Sequence, residues 1–500
     1  MPQLLIGAAS GLTVPNTYAV ADIASTLATA TDNTVVTFAA GTWTGCADSI
    51  EFPAGVANVT LRGAGRGSSR INCYGSNARA FALSALAPGA RLEGFTLYGG
   101  SGMGLGSSRD GGCLIKTSTS DLTLKELHIF QCRVGGSGTF RGGAMHIGGG
   151  SVVLENTWIT ESTAGNYGGG ISIDGGASVV VADTSSISTS TAYGSGGGVY
   201  VAPGSIGSLF AISYGAMEDN SAAGSGGAIF ASAGDVDIRN CLVADATANS
   251  GSGGGVAVAG MGTSLSMIDM QMTRCSAGSD GGGVAATGGA RVTLGFEAKL
   301  DVNTASGSGG GLSCAGTDSV CVVSPRAAVQ GNVASGGGGG IMVEPGARLE
   351  MYDALVASNA ASGSGGGIGV ALGASALLDG VTNVTSNMAG ANGGGIHVAG
   401  SAELREARLM DNMATDGAGV WIGTGGSVNG TRWAASRNTA SSRGAVFLST
   451  SPGPVDLSGG HVCGNMGPVA RMGLNLWCDD PTGAASLSLT AGGCGNTYVI

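Results

Sequence analysis

Residues 217–229, Met217-Glu-Asp-Asn-Ser-Ala-Ala-Gly-Ser-Gly-Gly-Ala-Ile229, hold the phrase on which the fold turns. It has two halves: an aliphatic residue, two variable residues and Asn, then two or three glycines or alanines and a second aliphatic residue. The second half recurs at Met145, Ile171, Val199, Ile229, Val256, Val284, Leu312, Ile341, Ile368, Ile396, Val420 and Val446, on average about 27 residues apart. Weaker copies stand at Leu114 and Leu474. The first half recurs at Leu300/Asn303, Val329/Asn332, Val356/Asn359, Val384/Asn387, Leu409/Asn412 and Val462/Asn465, with Ser162, Ser190 and Cys275 in the Asn place of other copies. Between an anchor and the next Asn lies an alternating run such as Ala177-Ser-Val-Val-Val181, so each repeat reads as about three short strands.

A side-chain period of two sends every second residue to one face, and a unit this small cannot bury that face alone. The repeats must therefore stack, which predicts an all-β parallel β-solenoid of about 27–28 residues per coil. Stacking explains the glycines: a corner with positive φ, and no room for a Cβ between identical coils. The recurring Asn is expected to form a side-chain ladder at another turn, where it tolerates the left-handed conformation. The expected organisation is an N-terminal cap over residues 1–33, a β-helix over 34–456 that is irregular to about residue 110, and a Cys-containing cap over 457–500. In the first cap, Val20, Ile23 and Leu27 fall on one helical face after Asn16 and Thr17, predicting a short amphipathic helix.

Composition agrees. Of 500 residues 97 are Gly but only 11 are Pro, without a Gly-X-Y period, which excludes collagen. The chain is 43% hydrophobic and only 11% charged, too apolar for a disordered polymer. A net charge of −11 argues against nucleic acid or an anionic membrane as partner. No run approaches a membrane span, and the first residues make a poor signal peptide.

Eleven cysteines are many for a reducing compartment, which points to export. Candidate disulfides are Cys46 with Cys73, Cys113 with Cys132, Cys241 with Cys275, Cys314 with Cys321, and Cys463 with Cys494, leaving Cys478 to compete in the tail. No CxxC pair exists, so no metal or cofactor is expected. His146 and His397 occupy the same outward slot, too many coils apart to share a ligand, and read as surface residues. The acidic run Cys478-Asp479-Asp480-Pro481 lacks a basic partner nearby and reads as a turn. The residue after each anchor should point outward in a nearly uncharged column that includes Tyr200, Phe230, Met342, His397, Trp421 and Phe447. That column is a candidate interaction face for a sugar chain or another subunit.

Thr34-Val-Val-Thr-Phe-Ala-Ala-Gly-Thr42 and Asn58-Val-Thr-Leu-Arg-Gly-Ala-Gly-Arg-Gly67 resemble the pectin-lyase-like superfamily, which implies a right-handed, single-stranded parallel β-helix. The coils from Ile159 to Leu474 resemble the repeats of chlamydial polymorphic outer-membrane proteins, in which an FxxN phrase precedes GGA and an aliphatic residue. Here Met, Leu, Val or Ile replaces the Phe and GGG often replaces GGA. The second resemblance implies an autotransporter passenger or adhesin, although the tail from Leu457 is far too short for a membrane barrel. The expectation is a non-enzymatic, extracellular or cell-surface structural or adhesive protein, associating with itself or with a surface glycan or protein, with a filament subunit as one form of that reading. Two alternatives stand beside it: a polysaccharide lyase, hydrolase or epimerase, and a carbohydrate-binding module. The superfamily's enzymes use clustered Asp with Arg or Lys, or an Asp-Pro-His phrase. Asp480-Pro481-Thr482 departs from that phrase, and the 22 Lys and Arg are dispersed, so no residue receives a catalytic role.

Overall fold

The computed structural model describes residues 11–14, 19–47, 49–102, 109–135, 139–204, 209–444, 446–448, 453–457, 460–463, 465–466 and 476–478. It is an all-β right-handed parallel solenoid of about 15 turns with one short helix. The chain divides into two compact units, Met1–Gly224 with Ala228–Cys241, and Ser225–Gly227 with Leu242–Ile500.

One coil of the first unit shows why the sequence takes this path. Ser151–Glu155 belongs to a first sheet, Trp158–Thr160 to a second, Thr163–Ala164 to a short sheet, and the anchor strand Ile171–Ile173 to a third. Alternation places Val152 and Leu154 in the interior, directly on Val179 and Val181 of the next coil. The second unit repeats the pattern, with Leu349 on Ala376 and Met351 on Leu378. The coil thus has four strands where about three were expected. The fourth is the short step after the Asn place, Thr-Ala or Ser-Ala in Thr191–Ala192, Ser276–Ala277 and Thr304–Ala305, and Val333–Ala334 or Met388–Ala389 in other copies.

In the second unit the ladder runs unbroken from Asn303 through Asn332, Asn359, Asn387, Asn412 and Asn438 to Asn465. Each amide is buried. Asn359 Nδ2 donates to Val329 O (2.9 Å) and Asn387 Oδ1 (2.9 Å), while its Oδ1 accepts from Asn332 N (2.9 Å) and Asn332 Nδ2 (3.0 Å). The left-handed residue is not the Asn but the one before it: Val302 (φ 55°), Ser358 (φ 55°), Asp411 (φ 57°). That single residue turns the chain from the second sheet into the short one, and the Asn side chain then points inward. Asn359→Ala strips four hydrogen bonds from a dry interior and should lower stability by about 3 kcal/mol or more in urea unfolding. Exchange of the exposed Val333 for Thr should change it by less than about 0.5 kcal/mol.

The glycine triplets divide their labour. Gly281 sits at φ 66°. A Cβ on Gly282 would run into the Gly310 carbonyl oxygen and the Thr304 backbone. At Gly283 the nearest obstacle is the Gly311 carbonyl at 2.7 Å, the mildest of the three contacts. The third place is accordingly the one that alanine takes in other copies, as at Ala144 and Ala228.

The helix Val20–Leu27 forms and buries Val20, Ile23 and Leu27. Asn16 and Thr17 lie outside the described residues, and the helix begins from Ala19 without a side-chain cap. The preceding strand Gly11–Thr13 already pairs with Val35–Thr37. No helix among the described residues is long and apolar enough to cross a membrane.

Disulfides join Cys46 to Cys73, Cys113 to Cys132 and Cys314 to Cys321. The expected Cys241–Cys275 pair is corrected: both are buried thiols. Register is the reason. Leu242 stacks on Gln271 and Ala244 on Thr273, so Cys275 lies over Ala246, well along the coil from Cys241. Cys275 fills an Asn place instead, its N–H donating to Asn303 Oδ1 at 2.9 Å. The side chains of Cys463 and Cys478, and all of Cys494, lie outside the described residues, as do Asp479, Asp480 and Pro481.

Candidate functional site

In most coils a single left-handed residue, such as Glu126 (φ 52°) or Asn156 (φ 46°), turns the first sheet into the second. After the strand Thr60–Arg62 that corner swells to residues 63–68, Gly-Ala-Gly-Arg-Gly-Ser. Its backbone is pinned by Gly63 N to Glu93 O (2.8 Å), Gly65 N to Gly94 O (3.2 Å) and Gly67 N to Thr96 Oγ1 (3.2 Å). It carries Arg66 up beside the outer face of the second sheet.

That face has two columns. Ile71, Leu97, Ile129 and Ile159 point into the core, so their neighbours point out. One column is Arg70, Thr96, His128 and Trp158; the other is Asn72, Tyr98, Phe130 and Thr160. Together with the swollen corner they line a groove of about 780 Å³. Tyr74 stacks on Tyr98 at 5.6 Å and Tyr98 on Phe130 at 5.4 Å, while His128 meets the Trp158 ring edge-on at 5.9 Å. The Arg66 guanidinium lies 3.3 Å over the Trp158 ring and donates to Asn156 O at 3.0 Å. Arg70 Nε donates to Gly67 O at 3.1 Å.

Electrostatics distinguish these two arginines from most others. Arginines elsewhere pair with carboxylates across or along the coils, as Arg274 with Asp245 (2.6 Å) and Arg437 with Asp411 (2.7 Å). Among the described residues neither Arg66 nor Arg70 has a carboxylate partner. Between them and Trp158 stands His128, with Nε2 at 2.8 Å from Thr160 Oγ1. Burial, and then the Arg66 charge, hold its imidazole below the usual histidine range, so it is neutral at pH 7. The groove therefore offers aromatic faces for sugar rings, guanidiniums for carboxylates and a neutral imidazole able to accept a proton.

None of these residues was singled out from the sequence. All but Trp158 and Thr160 lie before the first regular glycine anchor, Met145, and only the register of the second sheet aligns Arg70 with His128 across intervening coils. A usable signal was present in Ser69-Arg-Ile-Asn72, Phe95-Thr-Leu-Tyr98 and His128-Ile-Phe130, each with one buried aliphatic between two outward side chains.

The uncharged column on the third sheet is a lined slot. Tyr200 is 6% exposed and lies between Tyr167 (4.4 Å) and Phe230 (5.6 Å). In the second unit His397 stacks on Trp421 at 4.5 Å, Met342 is half-buried, and the Phe447 backbone pairs with Trp421, its side chain lying outside the described residues. The glycine turn before each anchor closes over the column, so a Cβ on Gly253 would come within 2.8 Å of Ala257 Cβ. This corrects the surface reading of the two histidines. His397 is mostly buried, which pushes its imidazole down to about 4. His146 is 5% exposed beneath Arg141, which bridges Asp110 (3.4 Å) and Asp174 (2.9 Å). That cluster ties neighbouring coils together, and His146 Nε2 lies 3.6 Å from Asp174 Oδ1 within it.

No family model and no curated protein matches the chain. Among solved structures it is similar to the A-module of the Azotobacter vinelandii mannuronan C-5 epimerase AlgE6. The match has 11% identity and a TM-score of 0.24, and covers 90% of this chain and 96% of that one. It is also similar to the PL6 family alginate lyase AlyGC, at 11% identity and a TM-score of 0.21, over 97% of this chain and 100% of that one. The expectation of a non-enzyme is not kept: the two solved structures to which the chain is similar are named as an epimerase and a lyase.

Proposed function

We propose that the protein is an exported, carbohydrate-active β-helix protein that binds an acidic polysaccharide along the second-sheet groove and labilises the proton next to the sugar carboxylate. One observation carries this reading: two guanidiniums that make no salt bridge among the described residues face a groove floored by stacked aromatic rings and a neutral imidazole. A proton α to a carboxylate becomes acidic only when the charge on that carboxylate is neutralised, the part given to Arg70. With Nε2–H donating to Thr160 Oγ1, His128 Nδ1 holds the lone pair that takes the C5 proton. The C5 electrons can form a C4–C5 double bond, expelling the C4 oxygen, which takes a proton from the Tyr98 hydroxyl and breaks the chain. A proton returned to the other face of C5 would instead invert that carbon. Three disulfides suit an oxidising, extracellular setting.

The full chain should be incubated with polygalacturonate, alginate and a neutral glucan in deuterated water. Deuterium entering C5 of a uronate, unsaturated chain ends, or both, is the expected result. Neither exchange nor unsaturated ends with any uronate polymer would refute the reading.

A further inference from the structure

Trp158 is the groove's exposed indole, and in the empty protein its face is already covered by the Arg66 guanidinium. A sugar ring stacked on Trp158 and the guanidinium at 3.3 Å cannot share one face. The Arg66 backbone is held by the neighbouring coils, but its side chain is retained by one hydrogen bond, to Asn156 O, besides the stack. The flanking Gly65 (φ 128°) and Gly67 (φ 90°) bring no side chain of their own against it. Among the described residues no carboxylate makes a salt bridge with it, and the Glu126 charge acts on it only at longer range.

We propose that the Arg66 side chain is a displaceable arm that occupies the Trp158 sugar subsite in the empty groove and turns onto the substrate carboxylate when a uronate ring takes its place. This rests on the acidic-polysaccharide reading. The arm makes the subsite selective: an acidic ring compensates Arg66 for the lost stack with a charge-assisted, bidentate pair, whereas a neutral ring must displace the guanidinium and leave it unpaired. Arg66 is thus a specificity-determining residue, separate from the proton transfer assigned to His128.

The test uses the full chain with a uronate hexamer and its carboxyl-reduced, neutral counterpart. Binding is measured for wild type, Arg66→Ala and Arg66→Gln, and Trp158 emission is taken as the difference between wild type and Trp158→Phe. The arm requires that the acidic hexamer perturb Trp158 emission. It also requires that both Arg66 variants bind this hexamer about 5–20-fold more weakly while binding the neutral one as well as wild type or better. Unchanged acidic affinity in both variants, with Trp158 emission silent while the hexamer still binds, overturns the arm and leaves the groove reading intact. Failure of wild type and variants alike to bind the acidic hexamer overturns the groove reading and the arm with it.

Discussion

His128→Ala is expected to reduce deuterium exchange at C5 by about 10²–10⁴-fold while the affinity for a uronate oligomer stays within a few-fold of wild type. The split follows from the division of roles: the guanidiniums and aromatic rings bind, the imidazole moves a proton. His128→Gln retains a side chain able to meet Thr160 Oγ1 but no basic nitrogen, so it should be as inactive as alanine. The pH profile adds a signed expectation. Only the neutral imidazole accepts a proton, so activity is present above the His128 pKa and is lost as pH falls through it. Burial and the Arg66 charge depress that pKa, so the acid limb lies below the ordinary histidine range. Arg66→Ala removes one depressing charge and should move the limb upward. An acid limb unmoved by Arg66→Ala, or activity surviving in both His128 variants, would assign the proton transfer elsewhere.

Gly282→Val should abolish the cooperative fold of its region, with a loss of more than about 4 kcal/mol. A Cβ there meets the Gly310 carbonyl oxygen and the Thr304 backbone, and neither is a flexible side chain that can yield. Coils with a shared hydrogen-bond register cannot open at one corner without breaking the Asn303–Asn332 bonds beside it. Gly135→Ala is the control, since among the described residues its Cβ would have nothing within 4 Å and its φ is ordinary. Melting temperature read by circular dichroism separates the two. Comparable melting of both variants would mean that the coils are held apart more loosely than the stacked register requires.

Repetition made the coil legible in the sequence and left the groove hidden. Anchors such as Ile171 and Val256, and the Asn places, are dictated by stacking on an identical neighbour, so each is visible as its own copy one coil later. The Thr-Ala step escaped attention because two residues are too few to show alternation. Cysteine separations of about one coil or less pointed to the Cys46–Cys73, Cys113–Cys132 and Cys314–Cys321 bonds. They misled at Cys241 and Cys275, where register puts the two at different points of the coil. Arg66, Arg70 and His128 are outward-facing residues ahead of the first regular anchor, Met145, where the glycine phrase has only its weak copy at Leu114. Their juxtaposition depends on strand register and on a swollen corner, both tertiary facts. The histidine slot shows the converse: outward periodicity was legible at His146 and His397, but the turn that roofs the slot was not.

The central claim is that the second-sheet groove selects an acidic polysaccharide through cations that make no salt bridge among the described residues. Calorimetric titration of the intact protein with a uronate hexamer and with its carboxyl-reduced counterpart, at low and high salt, tests it most directly. The acidic hexamer should bind at least about tenfold more tightly, with the advantage shrinking in high salt and in Arg70→Ala. Equal affinity for the two oligomers, or an advantage indifferent to Arg70, would contradict it.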